Sequence, residues 1–318
     1  MDRNVSLDIL KLSMAFMVVG LHAGFLSEIS ALGSYLTVQG VFRIAVPVFL
    51  IINGFYFFPV LAKGRQTTWL KRVFILYAVW MLFYSYFWFS LPSFSLKDII
   101  ELIKNIIVGY HHLWYIAGML GAALLLCALQ RFSSTILVIT IVATAALGIL
   151  IQYLGNYHYF EGSRLDNFFN LNWFHRNALF FSYPFFCIGF LINKHRIHTK
   201  ISLTSATTLS ALGLAFLLLE SYINYSQASM DEGFDNYFSL LILCPFVFIT
   251  FTKIKVSGNS KNIALYSSAV YFIHSFFLSL LKMFTDVEAT MLTALCIGLS
   301  LLASHFLIRV NSKVKFIL

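Results

Sequence analysis

The first apolar run of the chain carries three ionisable residues at a spacing that suits chemistry. Asp8, Lys11 and His22 lie in the run that extends over about 7–27. Lys11 and His22 are eleven residues apart, about 20° beyond three helical turns, so they share one helix face about 16 Å apart. Asp8 precedes Lys11 by three residues and can pair with it. Because a neutral imidazole is a general base near neutral pH, we predict a catalytic group of His22, Lys11 and Asp8. The alternative is that His22 only hydrogen-bonds a neighbouring helix.

Other apolar runs are interrupted by polar or aromatic side chains at a similar predicted depth. Ionisable residues inside such runs are costly and mark functional sites by default. We predict that these polar and aromatic side chains line one polar cavity together with His22. The alternative is that they serve ordinary helix packing, with an arginine that snorkels to the membrane surface. The flat face of a tryptophan suits a sugar ring. The predicted binding residues are Arg43, His112, Trp114, Arg176, Asn177 and His274.

A basic segment before the third apolar run is a candidate phosphate-binding site. Lys63, Arg65, Lys71 and Arg72 place four cations within ten residues. Such a cluster can hold a polyphosphate such as the nucleotide of coenzyme A. It can equally face anionic lipid and fix the topology.

The elements that must position these residues are membrane-spanning helices. Of the 318 residues, 59% are hydrophobic and only 11% are charged, and the mean hydropathy is +0.82. Soluble domains carry about 25% charged residues, so the bilayer must be the main solvent. We expect an all-α polytopic protein forming one domain over 1–318. About ten spans are predicted, at 7–27, 38–59, 73–92, 113–130, 133–154, 174–193, 203–222, 236–252, 262–283 and 288–309.

Charges alternate with apolar residues at helical spacing between 96 and 109, which predicts one interfacial amphipathic helix instead of a span.

The net charge of +9 falls in short loops, which argues against nucleic acid binding. With ten spans and both termini in the cytoplasm, 15 of the 22 Lys and Arg residues lie inside, as the positive-inside rule requires. These are Arg3, Lys63, Arg65, Lys71, Arg72, Arg131, Lys194, Arg196, Lys200, Lys253, Lys255, Lys261, Arg309, Lys313 and Lys315.

Several segments together resemble the acyltransferase-3 family of integral membrane acyltransferases, which modify bacterial surface polysaccharides. Ser6–Lys11 through His22 resembles its first-helix motif, and Val46–Phe55 its second-helix motif. Family positions are also similar to His112-Leu113-Trp114-Tyr115, Arg176-Asn177 and Tyr271-Phe272-Ile273-His274. Two departures are Asn53, where the family often has Ser, and Lys71-Arg72, where it often has two arginines three apart.

The resemblance implies transfer of an acyl group, usually acetyl from acetyl-coenzyme A, to a hydroxyl of a glycan or lipid-linked sugar. It implies a multi-pass protein of the bacterial cytoplasmic (inner) membrane. His22 would be the base or a transient acyl carrier. Lys11 and Arg72 would serve the donor side. The acceptor side would be lined by His112, Trp114, Arg176, Asn177 and His274. We expect no metal, because no ligand spacing with a third partner is present. A transporter or flippase of glycan or lipid intermediates remains the alternative, although the inverted repeats common in transporters are not visible.

Overall fold

The computed structural model describes residues 4–89, 95–227, 233–314 and 316–318, and the described part is built from helices. Arg3 and Lys315, which entered the charge analysis, lie outside the described residues. Among the described residues, helices of at least twelve residues are α1 (Val5–Ala23), α2 (Ala45–Ala62), α3 (Gln66–Phe83), α4 (Leu96–Val108), α5 (Trp114–Leu129), α6 (Ser134–Asn156), α7 (Tyr183–Lys194), α8 (Leu203–Tyr225), α9 (Phe238–Lys253), α10 (Lys261–Phe284) and α11 (Ala289–Lys313).

Each of the ten predicted runs holds one of these helices, but not every helix is long and apolar enough to cross a bilayer. In the described part of the chain seven segments meet that requirement, and α7 and α9 are shorter apolar helices. The protein is therefore all-α with several candidate membrane spans. The count of ten and the orientation of the termini stay predictions.

Small polar side chains fix where several helices begin. Asn4 accepts a hydrogen bond from the backbone N–H of Leu7 (3.1 Å) and so caps α1. Ser133 and Ser202 accept from Ile136 and Ser205 at the starts of α6 and α8. These oxygens satisfy N–H groups that have no partner within the first turn of a helix.

The backbones of α2 and α7 approach closely, and glycine permits the contact. A Cβ atom on Gly54 would stand 1.8 Å from the carbonyl oxygen of Phe186, and one on Gly189 would stand 2.0 Å from that of Ile51. Small residues allow such approach in membrane helices, where packing replaces the hydrophobic driving force. The helix that packs against Gly54 is therefore α7.

The entry to α2 departs from a regular α-helix. Residues 35–40 form a π-helical segment and Val41–Ile44 a 3-10 turn before the α-helix begins at Ala45. Pro47 lies in the first turn of α2, where its missing N–H costs no helical hydrogen bond. The irregular backbone at the entry to α2 therefore lies before Pro47, and Arg43 lies within it.

The helix that follows the basic segment begins earlier than predicted. α3 starts at Gln66 instead of 73, so Lys71 and Arg72 lie in its second turn and not in a loop. The amphipathic segment does form a helix, α4, whose start is capped by Ser95 through the N–H of Asp98 (3.2 Å). None of the residues of α4 is buried, which fits a helix at an interface.

Candidate active site

Four imidazole rings meet where α1, the turn before α5 and α10 come together. The ring centroid of His22 lies 4.6 Å from that of His111 and 5.5 Å from that of His274. The ring of His112 lies 4.9 Å from that of His274 and 5.8 Å from that of His111. We call these four residues the histidine cluster. His22, His112 and His274 were predicted from the sequence to share one site, and the fold brings them together.

A serine hydroxyl connects three of these rings. The Oγ atom of Ser275 lies 2.8 Å from Nδ1 of His112, 3.3 Å from Nδ1 of His111 and 3.3 Å from Nε2 of His274. His274 Nδ1 lies 2.6 Å from the carbonyl oxygen of Tyr271. A carbonyl only accepts, so Nδ1 carries the proton of neutral His274 and Nε2 presents its lone pair toward Ser275.

The backbone between α4 and α5 is shaped to place His111 in the cluster. Gly109 has a φ of +91°, and His111 itself has a φ of +47°, in the left-handed region that side chains other than glycine rarely adopt. A Cβ atom on Gly109 would stand 2.8 Å from the backbone nitrogen of Trp114. Conformations of this kind persist where the surroundings enforce them, often at functional sites.

One small pocket joins His22 to a group of charged side chains. It has a volume of about 40 Å³ and is lined by His22, Arg43, Trp114, Arg176 and Asp235 together with apolar residues. The guanidinium carbon of Arg176 lies 4.9 Å from the centroid of the Trp114 ring, a cation–π contact. We call this space the arginine pocket.

Asp235 is the negative charge that holds the two arginines. It accepts hydrogen bonds from Arg43 and from Arg176, the latter at 3.1 Å. Arg43 also donates to the side chain of Gln39, and its Nε atom has no partner among the described residues. Burial raises the pKa of Asp235, but the charges of Arg176 and Arg43 outweigh burial, so its pKa lies below the ordinary value. Two cations facing one carboxylate leave the pocket with an excess positive charge.

His22 also lines a second pocket, of about 120 Å³, on another side of its ring. Its walls include His111, Ser275 and Tyr110, and Lys282 from the last turn of α10. We call it the Lys282 pocket. His22 is thus reached from two pockets with different charge patterns.

A larger cavity surrounds the other end of the α1 face. It has a volume of about 340 Å³ and is lined by Lys11, Arg72, Asn53, Tyr115 and Tyr271, with others. Lys11 donates to Asp8 (3.1 Å), and the buried Asp8 also accepts from Ser260 (2.6 Å). Asp8 therefore anchors Lys11 at the edge of this space, which we call the Lys11 cavity.

Tyr271 lies between the Lys11 cavity and the histidine cluster. It lines the cavity, its ring contacts those of His112 and His274, and its hydroxyl donates to the backbone oxygen of His112. The nearby Asn53 donates to the hydroxyl of Tyr115 (2.9 Å), so the residue that departs from the family pattern bridges α2 and α5.

His112 and His274 belong to the histidine cluster but line none of these three spaces, and three further predicted binding residues lie in neither the spaces nor the cluster. Asn177 accepts from the N–H groups of Leu179 and Phe180 and caps the following turn, away from the arginine pocket. Arg65 is exposed and precedes α3, and Lys71 is exposed on a face that does not line the Lys11 cavity. Helical periodicity separates Lys71 from its neighbour Arg72 by about 100°.

Sequence reasoning missed His111, Ser275 and Asp235. Two arginines expected at one depth in an apolar environment require a counter-charge, and that requirement could have identified Asp235. In the described part of the chain no group of three or more His, Cys, Asp or Glu side chains is arranged to hold a metal ion, the histidine cluster included.

The apolar helices around buried imidazoles and paired charges define a multi-pass membrane protein with a polar internal site. The chain belongs to the acyltransferase-3 family, because the family model described as an acyltransferase domain matches residues 4–309. Acyl transfer is thus the chemistry of the family.

Two curated proteins are similar to this chain over part of their length. A serine/alanine racemase of Enterococcus gallinarum is 28% identical over 241 residues, which are 69% of this chain and 33% of that protein. An amino-acid racemase of Enterococcus faecalis is 24% identical over 286 residues, which are 84% of this chain and 40% of that protein. The chain therefore spans between a third and two fifths of these relatives. No solved structure matches the chain significantly.

Proposed function

We propose that this protein moves an acetyl group from acetyl-coenzyme A on the cytoplasmic side to a hydroxyl of a cell-surface glycan or lipid-linked sugar. Its location would be the cytoplasmic membrane of a bacterium. The observation that carries the proposal is that one face of α1 presents Lys11 to one cavity and His22 to two others, in a chain of an acyltransferase family. A donor and an acceptor can then approach the same helix from opposite ends.

The Lys11 cavity is the proposed donor site. Lys11 and Arg72 present two cations there, and charge-assisted hydrogen bonds to phosphate are among the strongest that a protein makes. The polar groups of Asn53, Tyr115 and Tyr271 also lie on its walls. The thioester reaches His22 once the ring of Tyr271 moves aside.

His22 is the proposed general base. The hydroxyl oxygen of the acceptor forms a bond to the thioester carbonyl carbon while its proton passes to the imidazole. The carbon–sulfur bond then breaks, and the proton moves on to the departing thiolate of coenzyme A. Arg43 and Arg176 provide positive charge beside the developing oxyanion. Transfer through an acyl-imidazole on His22 remains the second route.

The names of the two relatives do not lead us to propose racemisation. Each name belongs to a protein of which this chain spans 33% or 40%, whereas the family match covers nearly all of this chain. The names refer to amino acids, however, and serine carries a hydroxyl. Serine therefore belongs among the acceptors to be tested.

The test is acetyl transfer by the purified full chain in lipid nanodiscs. Radiolabelled acetyl-coenzyme A is supplied with a panel of free sugars, lipid-linked sugars and serine, and products are identified by mass spectrometry. We expect labelled product and free coenzyme A in equal amounts. Coenzyme A release without any acylated product, or transport of an acceptor into sealed vesicles without acylation, would contradict the proposal.

A further inference from the structure

An apolar groove on the outside of the bundle adjoins the Lys282 pocket. It has a volume of about 490 Å³ and lies between α3, the segment that follows α3, and α4. Its walls are Phe74, Tyr77, Ala78, Met81, Leu82, Ser85, Trp88, Phe89 and Ile106. Leu82 is 74% exposed and Phe74 is 59% exposed, so the groove opens toward the surroundings of the helix bundle.

The length of the groove fits one leaflet of a bilayer. Phe74 and Leu82, the first and last lining residues on α3, are eight residues apart, about 12 Å at the rise of an α-helix. That is somewhat less than half of the roughly 30 Å hydrocarbon thickness of a membrane. A hydrocarbon chain in the groove would therefore extend from the middle of the bilayer to the level at which α3 ends.

The walls of the groove and of the Lys282 pocket are in contact, although the two spaces have no lining residue in common. Met81 lines the groove, and its sulfur accepts a hydrogen bond from the backbone N–H of Tyr110 (3.5 Å), which lines the pocket. Tyr84 lines the pocket and Ser85, the next residue, lines the groove. The end of α3 and the turn before α5 therefore form a boundary that the two spaces meet from opposite sides.

The pocket has the charge that a phosphate requires. Lys282 forms no ion pair with a carboxylate among the described residues, and the described lining of the pocket contains no Asp or Glu. In the arginine pocket Asp235 accepts one hydrogen bond from each guanidinium group, so an anion there would face a carboxylate. The described lining of the Lys282 pocket has no carboxylate, and an anionic group next to His22 is therefore better accommodated there.

We propose that the acceptor is a lipid-linked sugar phosphate, with its hydrocarbon chain in the apolar groove and its phosphate at Lys282. This placement rests on the proposed function, and it selects a lipid-linked acceptor over a free glycan. The phosphate anchors the first sugar in the pocket that contains His22. The chain enters from the membrane without crossing the protein.

Binding is tested without any need for catalysis. Full-length protein in phosphatidylcholine nanodiscs is photolabelled with a long-chain lipid phosphate that carries a diazirine in its chain, and with the matching lipid alcohol. We expect peptides of α3 and α4 to be labelled about tenfold more by the phosphate, since a charged hydrogen bond contributes roughly that factor. Lys282→Gln should reduce labelling to the level of the alcohol. Equal labelling by both probes in the wild type would show an ordinary lipid site and overturn the proposal.

Occupation of the groove is tested by a matched pair of substitutions. Ala78→Trp fills the groove, whereas Val79→Trp adds the same side chain to an exposed neighbouring position outside it. The preference for lipid-linked over free sugar, measured as a ratio of kcat/KM, should fall in the first variant and stay at the wild-type value in the second. An equal ratio in both variants would refute the proposal that the hydrocarbon chain of the acceptor occupies the groove. If the wild type acylates neither acceptor, the proposed function fails, while photolabelling still decides the site.

Discussion

The ring centroids of His22 and His111 lie 4.6 Å apart, although 89 positions separate the two residues in the sequence. His111 reaches this position because its backbone adopts a left-handed conformation before α5. The contact joins α1, which also carries Lys11, to the turn before α5, and both rings line the Lys282 pocket. It therefore places the proposed base at the proposed acceptor site.

Replacement of His22 by Ala should reduce acetyl transfer by at least about 100-fold, because a general base contributes 10²–10⁴ to the rate. Binding of coenzyme A, measured by calorimetry, should change little, since the Lys11 cavity does not include His22. His195→Ala is the matched control, as His195 lies far from the cluster and contacts Ser134. Full activity of the His22 variant would remove the proposed mechanism.

Arg72 and Lys71 offer a test of the donor site with two adjacent cations. Arg72 lines the Lys11 cavity and Lys71 does not. Arg72→Ala should raise the KM for acetyl-coenzyme A by about tenfold or more, because a hydrogen bond to a charged group contributes about 1.5–3 kcal/mol. Lys71→Ala should leave that KM within about twofold. Similar effects of both substitutions would indicate only a general attraction of the anionic donor to the membrane surface.

The loss of the Asp235 carboxylate should destabilise the protein. Asp235→Asn leaves two largely buried guanidinium groups without a counter-charge, and breaking such a network costs about 3 kcal/mol. The exposed pair of Glu101 and Lys104 is the control, and Glu101→Gln should cost less than about 0.5 kcal/mol. Thermal unfolding in detergent measures both. If the two variants unfold at the same temperature, the network has no structural role.

The pH dependence of that stability has a definite sign. The folded-state pKa of Asp235 lies below the ordinary aspartate value of 3.8, because the charges of Arg176 and Arg43 outweigh the opposing effect of burial. Its contribution is therefore complete above pH 3.8 and is lost as the pH falls through the lower, folded-state pKa. The difference in unfolding temperature between wild type and Asp235→Asn should be constant near neutral pH and shrink in acid. A difference that grows in acid would contradict this assignment.

The contact of α2 with α7 should not tolerate a methyl group at Gly54. The nearest atom is a backbone oxygen at 1.8 Å from the added Cβ, so one helix must move. Overpacking of this kind costs about 1–3 kcal/mol or more. Gly298→Ala is the control, since no atom lies within 4 Å of the added Cβ there. Folded yield and unfolding temperature should fall in the first variant only.

Much of the fold follows from the sequence because helix formation in a membrane depends on local composition. The apolar runs located the helices, and the spacing of Asp8, Lys11 and His22 placed them on α1, with Lys11 and Asp8 in contact. The boundary of α3 was misplaced, since its first residues are polar and helical hydrogen bonds extend beyond the apolar run.

The sequence by itself determined the class of protein, the position of most helices and the shared face of Lys11 and His22. Only the tertiary structure decided that His111 and Ser275 complete the histidine cluster. It also decided that the counter-ion of Arg43 is Asp235, 192 residues away in the sequence. Periodicity reports which residues of one helix share a face. It carries no information on which faces of different helices meet, because that depends on close packing and on the need to pair every buried charge.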